Sequence, residues 1–495
     1  MQPVRRFFAD RFVFLFTATK GLVLVAIALI ALTTAFMGTL SGPMQTWGVT
    51  GAVVETFGLS LVPAEREGRI ILLYHTIAMS VIAIETYLIT DSLPMKRREQ
   101  TQINATITVG YLLTLIFGLW FGYFGRNWAF HGLYLVGLSL IFFAGLQLAV
   151  AIWPWRPAYH TADTRRARLG RVDLERVAFF VMAVATLGSA IFGAVAGSFY
   201  GNGFETFLAE DVVRDPVKTP LQLAIIGHLH IMLTLIAVAL ALLVGRWLDF
   251  NGLWHKLSMP FFIVGTIIIT LGVWSIVPYQ PIAHIIIYVG STIVLLGALF
   301  LVIFGFDRLI RQGLEAESTR KATLGRKLRA LLRDPLKFGA LWQMVFMNFV
   351  VSFPGIFMAA KLGDIFRVWP LRQERLVLTG HWHILSGIVA TIILLMYADL
   401  AGLKGRVRQV FGWSIIVFSD LAFGATFIFI VRRMFVTEYG EGPLVRTMTV
   451  LMDVGLGAVL LTLAALMVWR LFDLFGPQGR WRHELTEFTA EEVAL

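Results

Sequence analysis

Long apolar blocks, broken by short polar segments, run the whole length of the 495-residue chain. Blocks of about 20 residues, each long enough to cross a hydrocarbon core of roughly 30 Å, are centred near residues 30, 80, 115, 142, 187, 233, 267, 293, 348, 388, 422 and 460. The pattern predicts twelve transmembrane helices, an all-α polytopic membrane protein, and a single membrane domain over residues 1–495. Residues 306–337 read as a basic amphipathic loop between the eighth and ninth helices, and residues 476–495 as a C-terminal tail. The N-terminal stretch QPVRRFFADRF is basic, but no small-residue cleavage pattern follows the first block. That block is therefore read as a span and not as a removed leader.

Composition agrees with a membrane protein. The chain is 57% hydrophobic and 15% charged, with a mean hydropathy of +0.76, well outside ordinary soluble domains. A net charge of +11 taken alone suggests an anionic partner such as nucleic acid. Its distribution argues against that. With the N-terminus in the cytoplasm, 30 of the 42 Lys and Arg residues fall on inner segments and 12 on outer loops, which is the positive-inside pattern. The charge then sets orientation in a bacterial or archaeal cell membrane, with both termini cytoplasmic. The 306–337 loop lies against anionic lipid headgroups. Cysteine is absent, which removes disulfides, iron–sulfur clusters and covalently attached c-type haem. A redox centre would rest on histidine, methionine or carboxylate.

Seven of the ten histidines fall on even-numbered predicted helices. His75 is on the second, His131 on the fourth, His228 and His230 on the sixth, His284 on the eighth, and His381 and His383 on the tenth. In the orientation above all seven sit toward the outer face. His160, His255 and His483 fall in cytoplasmic loops or the tail. A lone intramembrane histidine commonly hydrogen-bonds to a neighbouring helix or reaches to the interface. Seven on one side of one bundle point instead to metal or haem. The stretches IIGHLHIMLT (225–234) and LTGHWHILSG (378–387) each set two histidines at i and i+2, about 200° apart around a helix. Such a pair is badly placed for one ion but well placed for two prosthetic groups, one on each side of the helix. Zinc-binding pairs use i and i+4 on one face.

Twelve helices, a histidine on the second and HWHILSG opening the tenth resemble subunit I of the haem–copper oxidases and nitric oxide reductases. The resemblance covers nearly the whole chain in topology, though the specific motifs are few. It implies two haems, of b type here, held between the second, sixth, tenth and eleventh helices near the outer face. On this likeness His381 is the axial ligand of the active-site haem, while His75 and His383 together hold the low-spin haem. The segment FIVRRMFVTEY after the eleventh helix is similar to the family's arginine-bearing segment, so Arg432 and Arg433 would hold haem propionates. Two guanidiniums suit paired carboxylates.

Departures from the family decide the functional reading. His228 matches a copper-binding histidine, but Met232 stands where the oxidases carry a tyrosine, and the seventh block, LSMPFFIVGTIIITLGVWSIV, has no histidine. The carboxylate of the nitric oxide reductases is also missing from the sixth helix. One imidazole holds copper or iron poorly, so the usual copper site is incomplete. Two arrangements remain open. In one, His228 by its position, or His230 after a small rotation of the helix, reaches the second haem opposite His381. In the other, one of them joins His284, with His131 as a further candidate, in a rebuilt metal site.

Glu85 and Asp420 are candidates for proton or quinone chemistry, because intramembrane carboxylates are costly to keep without a use; a structural carboxylate paired with Ser, Thr or backbone is the equal alternative. Asp399 is read as a solvated interfacial residue, and Trp382 as part of an interfacial aromatic belt, with packing against haem as the alternative reading. The outer loops at 47–69 and 201–220 are long enough to cover haem edges or to dock an outer-face redox subunit. The expected role is electron transfer between the quinol pool and an outer-face redox partner. The alternatives are a divergent terminal oxidase or nitric oxide reductase with a rebuilt second metal, and a transporter without cofactors.

Overall fold

The computed structural model describes all residues except 1, 41–42, 63–65, 198–218, 317–322, 362–363, 366–367, 370, 435–441, 477–478 and 486–495. Among the described residues, twelve helices are long and apolar enough to cross a membrane. They are α1 (Thr19–Gly38), α2 (Arg66–Ser92), α3 (Arg97–Tyr123), α4 (Trp128–Ala151), α5 (Leu174–Gly197) and α6 (Pro220–Trp247). The second half comprises α7 (Gly252–Trp274), α8 (Ile276–Ala316), α9 (from Pro335–Val345 onward), α10 (Leu371–Leu400), α11 (Gly405–Val431) and α12 (Pro443–Phe475). Each falls on one of the twelve apolar blocks. An N-terminal helix, Gln2–Thr17, precedes α1, and a short helix, Val49–Phe57, lies in the loop before α2. The only strands described are a two-residue hairpin pairing Arg168–Leu169 with Val172–Asp173.

Local chemistry explains several helix starts. Thr219 and Gln222 form a reciprocal capping box at the head of α6, with Pro220 in the first turn, where its missing N–H costs nothing. Asn127 caps α4 by accepting from the Phe130 N–H at 2.9 Å. Asp334 caps α9 by accepting from the Leu336 N–H at 3.3 Å. In α9 the regular ladder gives way to a π-helical stretch, Phe346–Ser352, before helix resumes at Phe353–Ala360. α8 bends at Tyr279, whose backbone leaves the helical region just before Pro281. It then runs to Ala316, so residues 306–316 continue a helix where the sequence suggests a loop. The charges there fall on exposed turns, which leaves the backbone ladder intact.

Glycine lets two pairs of spans approach closely. A Cβ on Gly110 of α3 would meet the backbone nitrogen of Ile141 on α4 at 2.9 Å, and one on Gly272 of α7 would meet that of Ile287 on α8 at 2.9 Å. Small residues at such crossings replace the hydrophobic drive that lipid removes. At the end of the bundle opposite the clustered histidines, arginines tie helix ends together. Arg176 of α5 donates to the carbonyls of Ala151 at 3.0 Å, Ile152 at 3.1 Å and Pro94 at 2.9 Å. Arg246 of α6 pairs with Glu175 of α5 at 3.0 Å. Arg408 of α11 forks onto Asp334 at 2.8 and 2.9 Å and also meets Asp399 of α10. Asp399 accepts from the Trp247 indole at 2.6 Å, so it is a linker between helices and not a merely solvated group.

Candidate cofactor site

Helices α2, α3, α4, α5 and α6 enclose a cavity of about 630 Å³. It follows α2 from Gly68 to Ile89, a run of about 30 Å at helical rise. Its walls are apolar apart from a few groups, chiefly His75, Glu85, His131, Tyr134, Thr186 and His228. A slot of this volume with few convergent polar groups is the usual form of a small-molecule or cofactor site.

Two imidazoles face each other across one part of this slot. The rings of His75 on α2 and His228 on α6 lie 6.2 Å apart, centroid to centroid, inclined at 57°. With a metal–nitrogen bond of about 2.0 Å and about 1 Å from ring atom to centroid, two imidazoles sharing one ion stand with centroids about 5–6 Å apart, according to the angle at the metal. The Nδ1 of His228 lies 3.0 Å from the Ser189 carbonyl oxygen. A carbonyl only accepts, so Nδ1 carries the proton and the lone pair is left on Nε2. His75 Nδ1 is 2.5 Å from the Tyr134 hydroxyl. Each ring is thus held through Nδ1, with Nε2 left outside these contacts; for His228, whose partner only accepts, Nε2 carries the lone pair.

Neighbouring residues shape the pair. A Cβ on Gly193 of α5 would meet His228 Nε2 at 2.7 Å, so only glycine leaves room for the ring in this position. Gly118 of α3 sits against Tyr134, where an added Cβ would meet the tyrosine ring at 3.1 Å. Ser189 also accepts, through Oγ, from the Trp274 indole at 3.2 Å. His131 is buried in the same cavity, its ring 6.5 Å from that of Tyr134 and stacked with it. Tyr134, Ser189 and Gly193 carry no sequence signal of their own. Their part depends on which helix faces His75 and His228.

The second member of each i, i+2 pair points elsewhere. His230 turns away from His228 and meets Trp382 of α10 edge-on at 5.3 Å. Its Nδ1–H donates to the Ile226 carbonyl at 2.8 Å, again leaving Nε2 as the ligating nitrogen. His230 is close enough to interact electrostatically with both His284 and His381. His381 lies against α9, where a Cβ on Gly355 would meet its Nε2 at 2.7 Å. α6 therefore carries one imidazole toward α2 and one toward α10, the divider arrangement expected from the spacing. The resemblance pairs His75 with His383. In the structure the ring beside His75 is His228, while His383 meets Tyr74, the residue before His75, at 5.0 Å. Trp382 lies between the two histidines of α10 and its ring contact is with His230. Among the described residues, no three of His, Asp, Glu or Cys gather closely enough to hold a metal ion.

The remaining candidates fall into place separately. Arg432 and Arg433 form a 3₁₀ turn at the end of α11. Arg432 donates to the Phe429 carbonyl at 2.6 Å and covers the Phe429 ring at 4.2 Å. Arg433 lies 5.8 Å from the Trp369 ring. Neither lines the cavity beside His75 and His228. The cation nearest along the chain to that cavity is Arg69, six residues before His75, buried and donating to the Val62 carbonyl at 2.7 Å. Asp420 accepts from the Trp342 indole at 2.7 Å and from Gln343 at 2.8 Å, a set of bonds that ties α9 to α11. His255 is buried on α7 and accepts from the Ala167 N–H at 2.9 Å, so it anchors the hairpin instead of lying in a loop. His160 and His483 are exposed. Of the two long outer loops predicted from the sequence, residues 201–218 lie outside the described residues, as do 435–439 of the arginine-bearing segment and 486–495 of the tail.

Compared with known protein families, curated proteins and solved structures, the chain matches none. The functional reading therefore rests on the motifs and on this geometry.

Proposed function

We propose that the chain is a haem-binding membrane cytochrome of b type, arranged like subunit I of the haem–copper oxidases. On this reading it carries electrons between a membrane quinol and a redox partner at the outer face through two haems. The observation that carries the proposal is the His75–His228 pair: two rings 6.2 Å apart in an apolar cavity, each fixed through Nδ1. Two neutral imidazoles are a donor set that would hold a haem iron. The opposed directions of His228 and His230 support a second group on the far side of α6, with His230 and His381 as its candidate ligands. His383 and His284 flank these positions.

When bound, such a group supplies reversible one-electron exchange. The protein's share is to hold and tune it. Ser189 and Tyr134 fix the ring orientations, and the apolar lining excludes water and lowers the local dielectric. Arg432, Arg433 and Arg69 are the outer-side guanidiniums suited to carboxylates. The absence of a second-metal ligand set at the family's usual positions supports electron carriage over oxygen or nitric oxide reduction. The test is haem content. His75→Ala and His228→Ala, purified in parallel with the wild type, should each lose one haem per chain and leave the other in place. Unchanged haem content in both variants would refute the assignment.

A further inference from the structure

Glu85 lies on α2 ten residues beyond His75, about 15 Å further along the helix, and lines the same cavity. It is 4% exposed, and its Oε1 is buried with no hydrogen-bond partner among the described residues. A buried acceptor left without a partner is destabilising, and such exceptions call for an explanation. Asp420 and Asp399 differ in this respect, because both are satisfied by indole donors. The titratable groups that share the cavity with Glu85 are His75 on its own helix, His131 and Tyr134 on α4, and His228 on α6. Among the described residues, α3 and α5 add no titratable group to the lining, and no Lys, Arg or second carboxylate faces it. Thr86 and Thr186 add hydroxyls to the lining of the same slot.

We infer that Glu85 is the proton-accepting group of this cavity, gaining a proton when the group held by His75 and His228 gains an electron. The inference deepens the haem reading and rests on it. One electron enters the centre from the quinol, and one proton from water adds to a Glu85 carboxylate oxygen. Oxidation reverses both. The physical ground is charge balance. An unscreened negative charge added to an apolar slot repels a carboxylate in the same slot. At about 15 Å and an effective dielectric of about 20, two unit charges change an equilibrium constant about sixfold. By linkage the effect is reciprocal, so protonated Glu85 favours the reduced centre by the same factor.

The experiment is a redox titration of the full-length protein in detergent, followed at the haem absorbance over a series of pH values. The wild type should show a midpoint potential that falls as pH rises. At fixed potential the reduced-to-oxidised ratio should change about sixfold between the two limits. Glu85→Gln should remove the pH dependence and sit at the wild-type low-pH limit. Glu85→Asp should restore the dependence. A redox difference infrared spectrum should show a carboxyl band in the wild type that Glu85→Gln lacks. Equal pH slopes in the wild type and Glu85→Gln would overturn the inference while leaving the haem reading standing, as would a slope abolished by His131→Gln instead. A purified chain without haem would overturn both.

Discussion

His228 can act as a ligand only through Nε2, because its Nδ1–H is engaged by the Ser189 carbonyl at 3.0 Å. The His75 ring is held by Tyr134, whose hydroxyl lies 2.5 Å from Nδ1 and can donate or accept. Such outer hydrogen bonds typically change metal affinity by about 10–100-fold when removed. Tyr134→Phe keeps the ring that Gly118 accommodates and removes the hydroxyl alone. It should weaken retention of one haem by about 10–100-fold, read as haem lost during dilution and gel filtration. Retention equal to wild type would remove Tyr134 from the site. The histidines themselves were legible in the sequence, since two H-x-H repeats at the same level of two apolar blocks stand out against any background. Their opposed directions followed from helical geometry, and α6 has that arrangement. Which ring meets which was not legible. A rotation of α2 or α10 by part of a turn exchanges His383 for His228 as the neighbour of His75, and hydropathy does not encode that rotation. Tyr134, Ser189 and Gly193 were hidden for the same reason.

At the scale of helices, all twelve spans were readable, because an apolar run of sufficient length has few alternatives in a bilayer. Their ends were less so. α8 extends through residues 306–316 because a basic amphipathic segment continues a helix as readily as it ends one. The π-helical stretch of α9 has no periodic signature. Between helices, Arg408 gathers Asp334 at the head of α9 and Asp399 near the end of α10. The guanidinium is 18% exposed and Asp334 29%, between the surface and buried extremes. Arg408→Ala leaves two carboxylates without their common cation. It should cost about 2 kcal/mol, between the small value of surface pairs and the larger one of buried pairs. A lower thermal unfolding temperature in detergent, with haem spectra unchanged below the transition, is the expected result. An unchanged unfolding temperature would show that the three helix ends are held by packing alone.

For the whole molecule, the asymmetry of basic residues supports the proposal that both termini lie in the cytoplasm and the end bearing the clustered histidines faces outward. With both termini in the cytoplasm, a fluorescent protein fused to the C-terminus should mature and fluoresce. An alkaline phosphatase fused there should stay inactive. The opposite pair of results would invert the topology and place the histidines at the inner face. Carrying electrons across this frame requires that both proposed haem irons be closed by protein ligands. The most direct measurement is the reduced-minus-oxidised optical spectrum of the purified protein, recorded with and without carbon monoxide, which binds only an open iron position. Two b-type haems with no shift under the gas is the result this account predicts. A colourless protein, or a shift in half of the haem, would contradict it, the latter by showing an open iron fit for a reductase.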